Sequence, residues 1–302
     1  MLLAPSGQMT WKLSFAGGVE NMSRAPYSFP KNQSGSYGSL IAYDTALGWR
    51  YPNPKMEQMF SLESMGETAE NVAAKYRISR DEQDEFAYRS HMKAVRAQQD
   101  GKFHDELVPV EIPRKNGEVV KVVQDEGPRP DTTVEKLSKL PAVFRKGGTV
   151  TAGNSSSLND GSAALLIMSE NKVKELKMKP IARVVSTGVA GVDPGYMGIG
   201  PVPAVELALQ KSGLTMNHIE LVELNEAFAS QSIAVIRDLH IDDSRLNVNG
   251  GAIALGHPLG CSGARILTTL LHEMKLRESR YGLATMCIGV GQGIATVVER
   301  YE

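Results

Sequence analysis

Apolar residues in this chain gather in short runs broken by glycine turns, and the rhythm of those runs changes near Val150. The opening MLLAPSGQMTWK has no clear period, whereas LSFAGG, from Leu13, reads as a short buried strand entering a glycine turn. Between Lys31 and Tyr51, Gly, Ser, Asn and Tyr alternate without a repeat, which predicts a loop. SMGETAEN, from Ser64, and the segment from Ala73 to Phe103 predict two helices; Ser79 caps the second with Glu82 three residues on, and Gly101 ends it. Val108 to Val123 alternates around Asn116-Gly117, a hairpin signal, and EGPRPDTTVEKLSKLPAVFRK winds on through prolines.

After Val150 strands and helices take turns. TAGNSSSLNDGSAALLIMSE predicts a small-residue turn and a buried strand, and KPIARVVSTGVAG another strand. A helix over 203–212, a strand running into a helix in LVELNEAFA, a helix over 265–276 and a final strand pair, YGLATMCIG and GIATVVER, complete the pattern. Such alternation predicts a layered α/β fold. NDGSAALLIMSE and GQGIATVVERYE echo each other, as the ends of two similar half-domains would.

Composition narrows the function. Thirty-three basic residues against thirty-four acidic ones give a net charge of −1, so no global field attracts nucleic acid or an anionic membrane. No apolar run reaches the roughly 18 residues of a membrane span, and Met1 to Thr10 is not a secretion signal, so a cytoplasmic protein is expected. The two cysteines, Cys261 and Cys287, make neither a disulfide framework nor a zinc site, and no metal is expected. Neither a Walker tract nor a dinucleotide fingerprint is present.

Candidate chemistry concentrates in three segments. In NVNGGAIALGHPLGCSGAR, His257 sits among glycines that permit close backbone approach, and Pro258 fixes the turn; it is either a base or a structural loop histidine. Cys287 follows an apolar strand run and precedes IGVGQG, whose amides could bind an oxyanion, the alternative being an inert buried thiol. In NEAFA, Asn225 is either a polar orienter or a helix cap, and Glu226 either a base or a partner for a helix dipole. Cys261 reads as packing. TVTAGNSSSLNDG could hold a pantetheine amide or a phosphate, and Arg129 and Arg145-Lys146 suit a phosphorylated ligand or simply a solvated surface.

AGGVENMSRAPY, RPDTTVEKL, VTAGNSSSLNDG, MGIGPVPA, NEAFA, NVNGGAIALGHPLGCSGAR and CIGVGQGIA, in this order, resemble the thiolase family of CoA-dependent acyltransferases over residues 15–302. GWRYPNPKME and SMGETAENVA look closer to the degradative branch, which cleaves 3-ketoacyl-CoA in fatty acid β-oxidation. The resemblance implies a layered αβαβα fold with mixed sheets and an incomplete first half: residues 1–179 as the remnant of an N-terminal half with a loop domain inserted at about 31–150, and 180–302 as the C-terminal half. It further implies that His257 activates the nucleophile, that Cys287 handles the acetyl α-proton, that Asn225 holds an oxyanion water, and that the Gly289 amide serves a second oxyanion site. Ser156, Ala152, Phe144, Met197 and Phe228 match positions along a pantetheine channel, and Arg129 the adenine contact; Ser155 and Ser157, where the family often has Ala and Gly, would tighten that channel. Coenzyme A is then a substrate with no tightly bound cofactor, and a homodimer or homotetramer is expected.

The family's nucleophilic cysteine stands in a CxSG-type turn that this sequence does not contain. The expectation is therefore a thiolase-type acyltransferase, thiolytic or condensing, in an N-terminally truncated form. A non-catalytic CoA-binding protein is the alternative, and recruitment of Cys261 as a substitute nucleophile a third.

Overall fold

The computed structural model describes residues 2–4, 12–31 and 41–301. Residues 32–40 of the predicted loop lie outside the described residues, as do 5–11. Leu2–Ala4, within a stretch without readable period, forms a strand, β1, and β2 spans Leu13–Asn21. A two-residue ribbon, β3 (Tyr27–Ser28) with β4 (Tyr43–Asp44), leads to α1 (Pro54–Met59), α2 (Met65–Tyr76) and α3 (Arg80–Gln99). Ser64 caps α2 by accepting from the Glu67 amide, and Ser79 with Glu82 forms the expected reciprocal box on α3. The hairpin is β5 (Val110–Pro113) with β6 (Val119–Val122), closing through Gly117 at φ 84°.

The remaining elements are α4 (Val134–Ser138), β7 (Asp160–Ser169), α5 (Glu170–Leu176), β8 (Ala182–Gly191), α6 (Pro201–Ser212), β9 (Leu221–Leu224), α7 (Ala229–Leu239), α8 (Ala252–Leu255), α9 (Leu259–Arg277), β10 (Tyr281–Ile288) and β11 (Gln292–Arg300). One mixed sheet runs β2-β7-β1-β8-β11-β10-β9. β2 with β7 and β10 with β11 are both antiparallel pairs, the structural form of the sequence echo. β1 lies parallel to β7 and β8 and joins the two halves.

The sheet curls around α9. This helix touches β2 and β7 at one end of the strand order and β10 and β9 at the other. Its Ile266, Leu270, Leu271 and Met274 are at most 2% exposed, packed with Ala182, Leu221, Ala284 and Val298. Each such burial contributes about 1.5–3 kcal/mol. The opposite face of β9, β10 and β11 carries Val222, Leu224, Leu283, Ala295 and Val297 into a second core against α6 and α7. Helices therefore cover both faces of the C-terminal strands, the layered arrangement expected. The outer face of β2 leaves Phe15 and Val19 78% and 74% exposed. No helix among the described residues is long and apolar enough to cross a membrane.

α9 begins directly after Pro258, six residues before the predicted start at Arg265. Glycines at 260 and 263 disguised its start as loop, but Gly260 and Gly18 let the helix end approach β2: a Cβ on Gly260 would fall 2.8 Å from the Val19 carbonyl oxygen, and one on Gly18 1.6 Å from that of Gly260. Tertiary packing outweighs the weak helix propensity of glycine here.

Candidate active site

β9 ends at Leu224 and α7 begins at Ala229, so NEAFA bridges them in a form other than the predicted direct strand-to-helix passage. Asn225 is therefore no helix cap; its amide N–H donates to the Thr285 carbonyl, extending the β9–β10 ladder, and its side chain stays fully buried. From there Nδ2 lies 3.2 Å from Nε2 of His257. The other ring nitrogen, Nδ1, lies 2.6 Å from Ser262 Oγ on the first turns of α9. The backbone of His257 is pinned as well, its amide donating to Asn159 Oδ1. Burial, reinforced by the charge of Arg265, lowers the imidazole pKa to about 4, so it is neutral at ordinary pH. Asn225 Oδ1 is buried with no partner among the described residues.

Glu226 partners a helix start, but that of α8 and not of the helix that follows NEAFA. It accepts from Ser90 Oγ at 2.6 Å, Asn247 Nδ2 at 2.8 Å and the Ile253 amide at 3.2 Å, all in the interior. Burial raises its carboxyl pKa and these donors oppose the rise. The carboxylate thus ties α3, NEAFA and the N-terminus of α8, on the way to His257, together in the interior. Gly251 is required there, because a Cβ would lie 2.1 Å from the Glu226 carboxyl carbon.

Cys287 closes β10 on the face opposite α9, packed with Ala69, Val150, Met197, Ala227 and Phe228. Burial pushes its thiol up to about 12. Cys287 and His257 therefore flank one segment, NEAFA: the histidine through Asn225, the cysteine through Ala227 and Phe228. Gly289 follows in the β10–β11 turn, where Gln292 Nε2 donates to its carbonyl and Val290 is held at φ 66°.

Most residues of the predicted channel meet here. Ser156 donates through both its amide and Oγ to the Ala227 carbonyl, and Ser155 bridges to Phe228. Phe144 meets Phe228 edge to face at 6.1 Å, a Cβ on Gly66 would meet the Phe144 ring, and Ala152 is exposed at the start of the same turn. Ser155 Oγ turns inward to the Thr151 carbonyl. Arg129 is placed elsewhere: it is exposed, and its amide donates to His91 Nδ1, while neighbouring Gly127 packs against the Ala254 carbonyl. Arg145 is engaged by Glu67 and Asn71.

Sequence reasoning missed a group of buried charges behind the imidazole. Arg265 on α9 lies 3.7 Å from Glu223 of β9, and its three guanidinium nitrogens have no hydrogen-bond partner among the described residues. Burial lifts the Glu223 carboxyl to about 8 and that of Glu106 to about 7, the Arg265 charge opposing both, and it raises Asp125 likewise. Ser262 and Asn159 were missed too. The only signal for Ser262 was its spacing of five from His257, legible once α9 is known to start at Leu259.

Residues 7–171 match the family model "Thiolase, N-terminal domain" and residues 178–300 match "Thiolase, C-terminal domain". The chain is 50% identical over 290 residues to the 3-oxoadipyl-CoA/3-oxo-5,6-dehydrosuberyl-CoA thiolase of Escherichia coli K12, covering 95% of this chain and 72% of that protein. It is 51% identical over 286 residues to an acetyl-CoA acetyltransferase of Pseudomonas aeruginosa, covering 94% and 72%. Among solved structures, human mitochondrial 3-ketoacyl-CoA thiolase superposes with a TM-score of 0.89 at 44% identity, over 96% of this chain and 72% of that one. The same human enzyme in complex with CoA gives 0.87 at 43% identity, over 96% and 71%. With both domain models matched in order and such relatives covered over most of their length, the chain belongs to the thiolase family of acyltransferases.

Proposed function

We propose that His257 and Cys287 are the acid–base pair of a thiolase reaction on a 3-ketoacyl-CoA. The observation that carries this reading is the line Asn225–His257–Ser262, which presents a buried, neutral imidazole beside a segment that also packs against the Cys287 thiol. In the thiolytic direction His257 Nε2 takes the proton of an attacking thiol, and the thiolate adds to the 3-keto carbon. The C2–C3 bond then breaks, and Cys287 gives its proton to C2 of the departing acetyl-CoA. A neutral imidazole and a protonated Cys287 are the resting forms from which this direction starts, and both match their shifted pKa values. Asn225 Oδ1, without a partner among the described residues, holds an oxyanion water in this reading, and the Gly289 amide serves the second oxyanion.

Ser156, Ala152, Met197, Phe144 and Phe228 form the pantetheine path in this reading, and Arg129 contacts the nucleotide end. The CoA complex of the human relative supports CoA as the ligand. 3-Oxoadipyl-CoA is the first substrate to assay, since it appears in a relative's name; β-oxidation intermediates come next. We also place the protein in the cytoplasm as a homodimer or homotetramer, which light scattering on purified protein reads directly.

One observation favours the second reading, a CoA-binding protein without turnover. Cys261 and Cys287 are both buried with pKa values raised by burial, so neither is poised as the attacking thiolate. Calorimetric titration with CoA, a thiolysis assay and mass spectrometry after incubation with acyl-CoA separate the possibilities. Turnover lost in His257→Ala supports the first reading, and binding without turnover supports the second. An acyl adduct on Cys261 would instead revive that residue as nucleophile.

A further inference from the structure

We propose that Ser262 is the positioning residue that holds His257 as the Nδ1–H tautomer, keeping Nε2 unprotonated. Ser262 Oγ sits 2.6 Å from His257 Nδ1 and 2.9 Å from the Pro258 carbonyl, and both side chains are buried. Two proton arrangements fit these heavy atoms. In the first, Ser262 O–H donates to the Pro258 carbonyl, Nδ1–H donates to Ser262 Oγ, and Asn225 Nδ2–H donates to Nε2, so all three short contacts are hydrogen bonds. In the second, Ser262 O–H donates to Nδ1 and Nε2 carries the proton. The serine oxygen and the Pro258 carbonyl oxygen would then face each other at 2.9 Å with no hydrogen between them, and Nε2–H would confront an amide donor unless Asn225 turned over. The first arrangement makes two more hydrogen bonds with Asn225 as it stands, and one more even if the amide turns over, and it avoids the clash of oxygens at 2.9 Å.

The second tautomer remains reachable, which is why a positioning group is needed. Asn225 Oδ1 has no partner among the described residues and would accept Nε2–H after a half-turn of the amide. Without the serine hydroxyl, Nδ1–H would be a buried donor with no acceptor, and the proton would move to Nε2, the nitrogen the reaction requires unprotonated. The consequence for catalysis rests on His257 being the base; the tautomer does not.

Long-range proton–nitrogen correlation NMR on histidine-labelled protein tests this without turnover. The wild-type chain is expected to show a protonated Nδ1 and a bare Nε2 for His257 throughout the neutral range. Ser262→Ala is expected to move the ratio of tautomers toward Nε2–H by roughly tenfold, the weight of about one hydrogen bond, and Ser262→Thr, which keeps the hydroxyl, to restore it. A wild-type Nε2–H signal overturns the proposal, whatever the variants do. So does a Ser262→Ala spectrum with the wild-type tautomer. Inactive protein with the expected tautomer would count against the acyltransferase reading of this chain and leave the role of Ser262 standing.

Discussion

Replacing Glu106 by glutamine removes a carboxyl that folding drives upward. Glu106 follows α3 and reaches Thr269 of α9, whose hydroxyl donates to Oε1 at 3.3 Å; Oε2 is buried without a partner among the described residues. Burial moves its pKa from 4.5 to about 7. Because the folded value lies above the unfolded one, the folded chain holds the proton more tightly, and stability falls as pH rises from about 4.5 through 7. Each pKa unit corresponds to about 1.4 kcal/mol, so the ionised carboxylate costs about 3 kcal/mol above neutrality and nearly nothing near pH 4.5. Glu106→Gln keeps the shape and cannot ionise. Urea denaturation of both proteins at about pH 5 and pH 8 is expected to show a gain for the variant of under about 1 kcal/mol at the lower pH and about 3 kcal/mol at the higher. Groups common to both proteins cancel in this difference. A gain no larger at pH 8 than at pH 5 would refute the claim that Glu106 is buried ionisable charge.

The mirror case is His91, whose pKa is lowered to about 4 by burial and by Arg129, against the pull of Asp131. A depressed histidine makes stability fall as pH drops below 6.5, so His91→Asn, which can keep the acceptor for the Arg129 amide, should flatten the acid limb by about 3 kcal/mol, read by denaturation between pH 4 and 7. Val290→Asn relieves a β-branched residue at positive φ and should raise stability by about 1 kcal/mol, with an unchanged melting temperature counting against it. Gly251→Ala drives a methyl into the Glu226 carboxylate and should cost about 2 kcal/mol or more, seen as a lower melting temperature. Neither Cys261 nor Cys287 should react with a thiol-specific disulfide reagent until the chain is unfolded; rapid labelling of one thiol in folded protein would contradict their burial.

Local signals were legible where one segment carries its own instruction. Ser79 with Glu82 announced the start of α3, Asn116-Gly117 the hairpin, and the glycines around His257 a site needing close backbone approach. What stayed hidden depends on partners far along the chain. Glu226 could be read as base or dipole partner because Ser90, which donates to it, lies 136 positions away. Arg265, Glu223 and Glu106 look like ordinary surface charges until α9 is laid over β9. Asn225 was legible as a polar residue near chemistry, but its four-residue separation from α7 came from the Thr285 pairing that holds NEAFA extended. β1 was illegible for a related reason: three residues carry no period, and the pairing with β7 and β8 makes them a strand.

The curl of the sheet around α9 makes one helix the shared support of both ends of the strand order, and His257 hangs from its first turn. The imidazole therefore has no hinge of its own. Amide exchange around Ile266 and Leu270 of α9 should be as slow as in β10, because opening either exposes the same apolar seam. Loosening the interior anywhere along that seam will cost the site its alignment before the chain comes apart, so tolerance to mutation should be lowest on the helix face that carries Ile266, Leu270 and Met274.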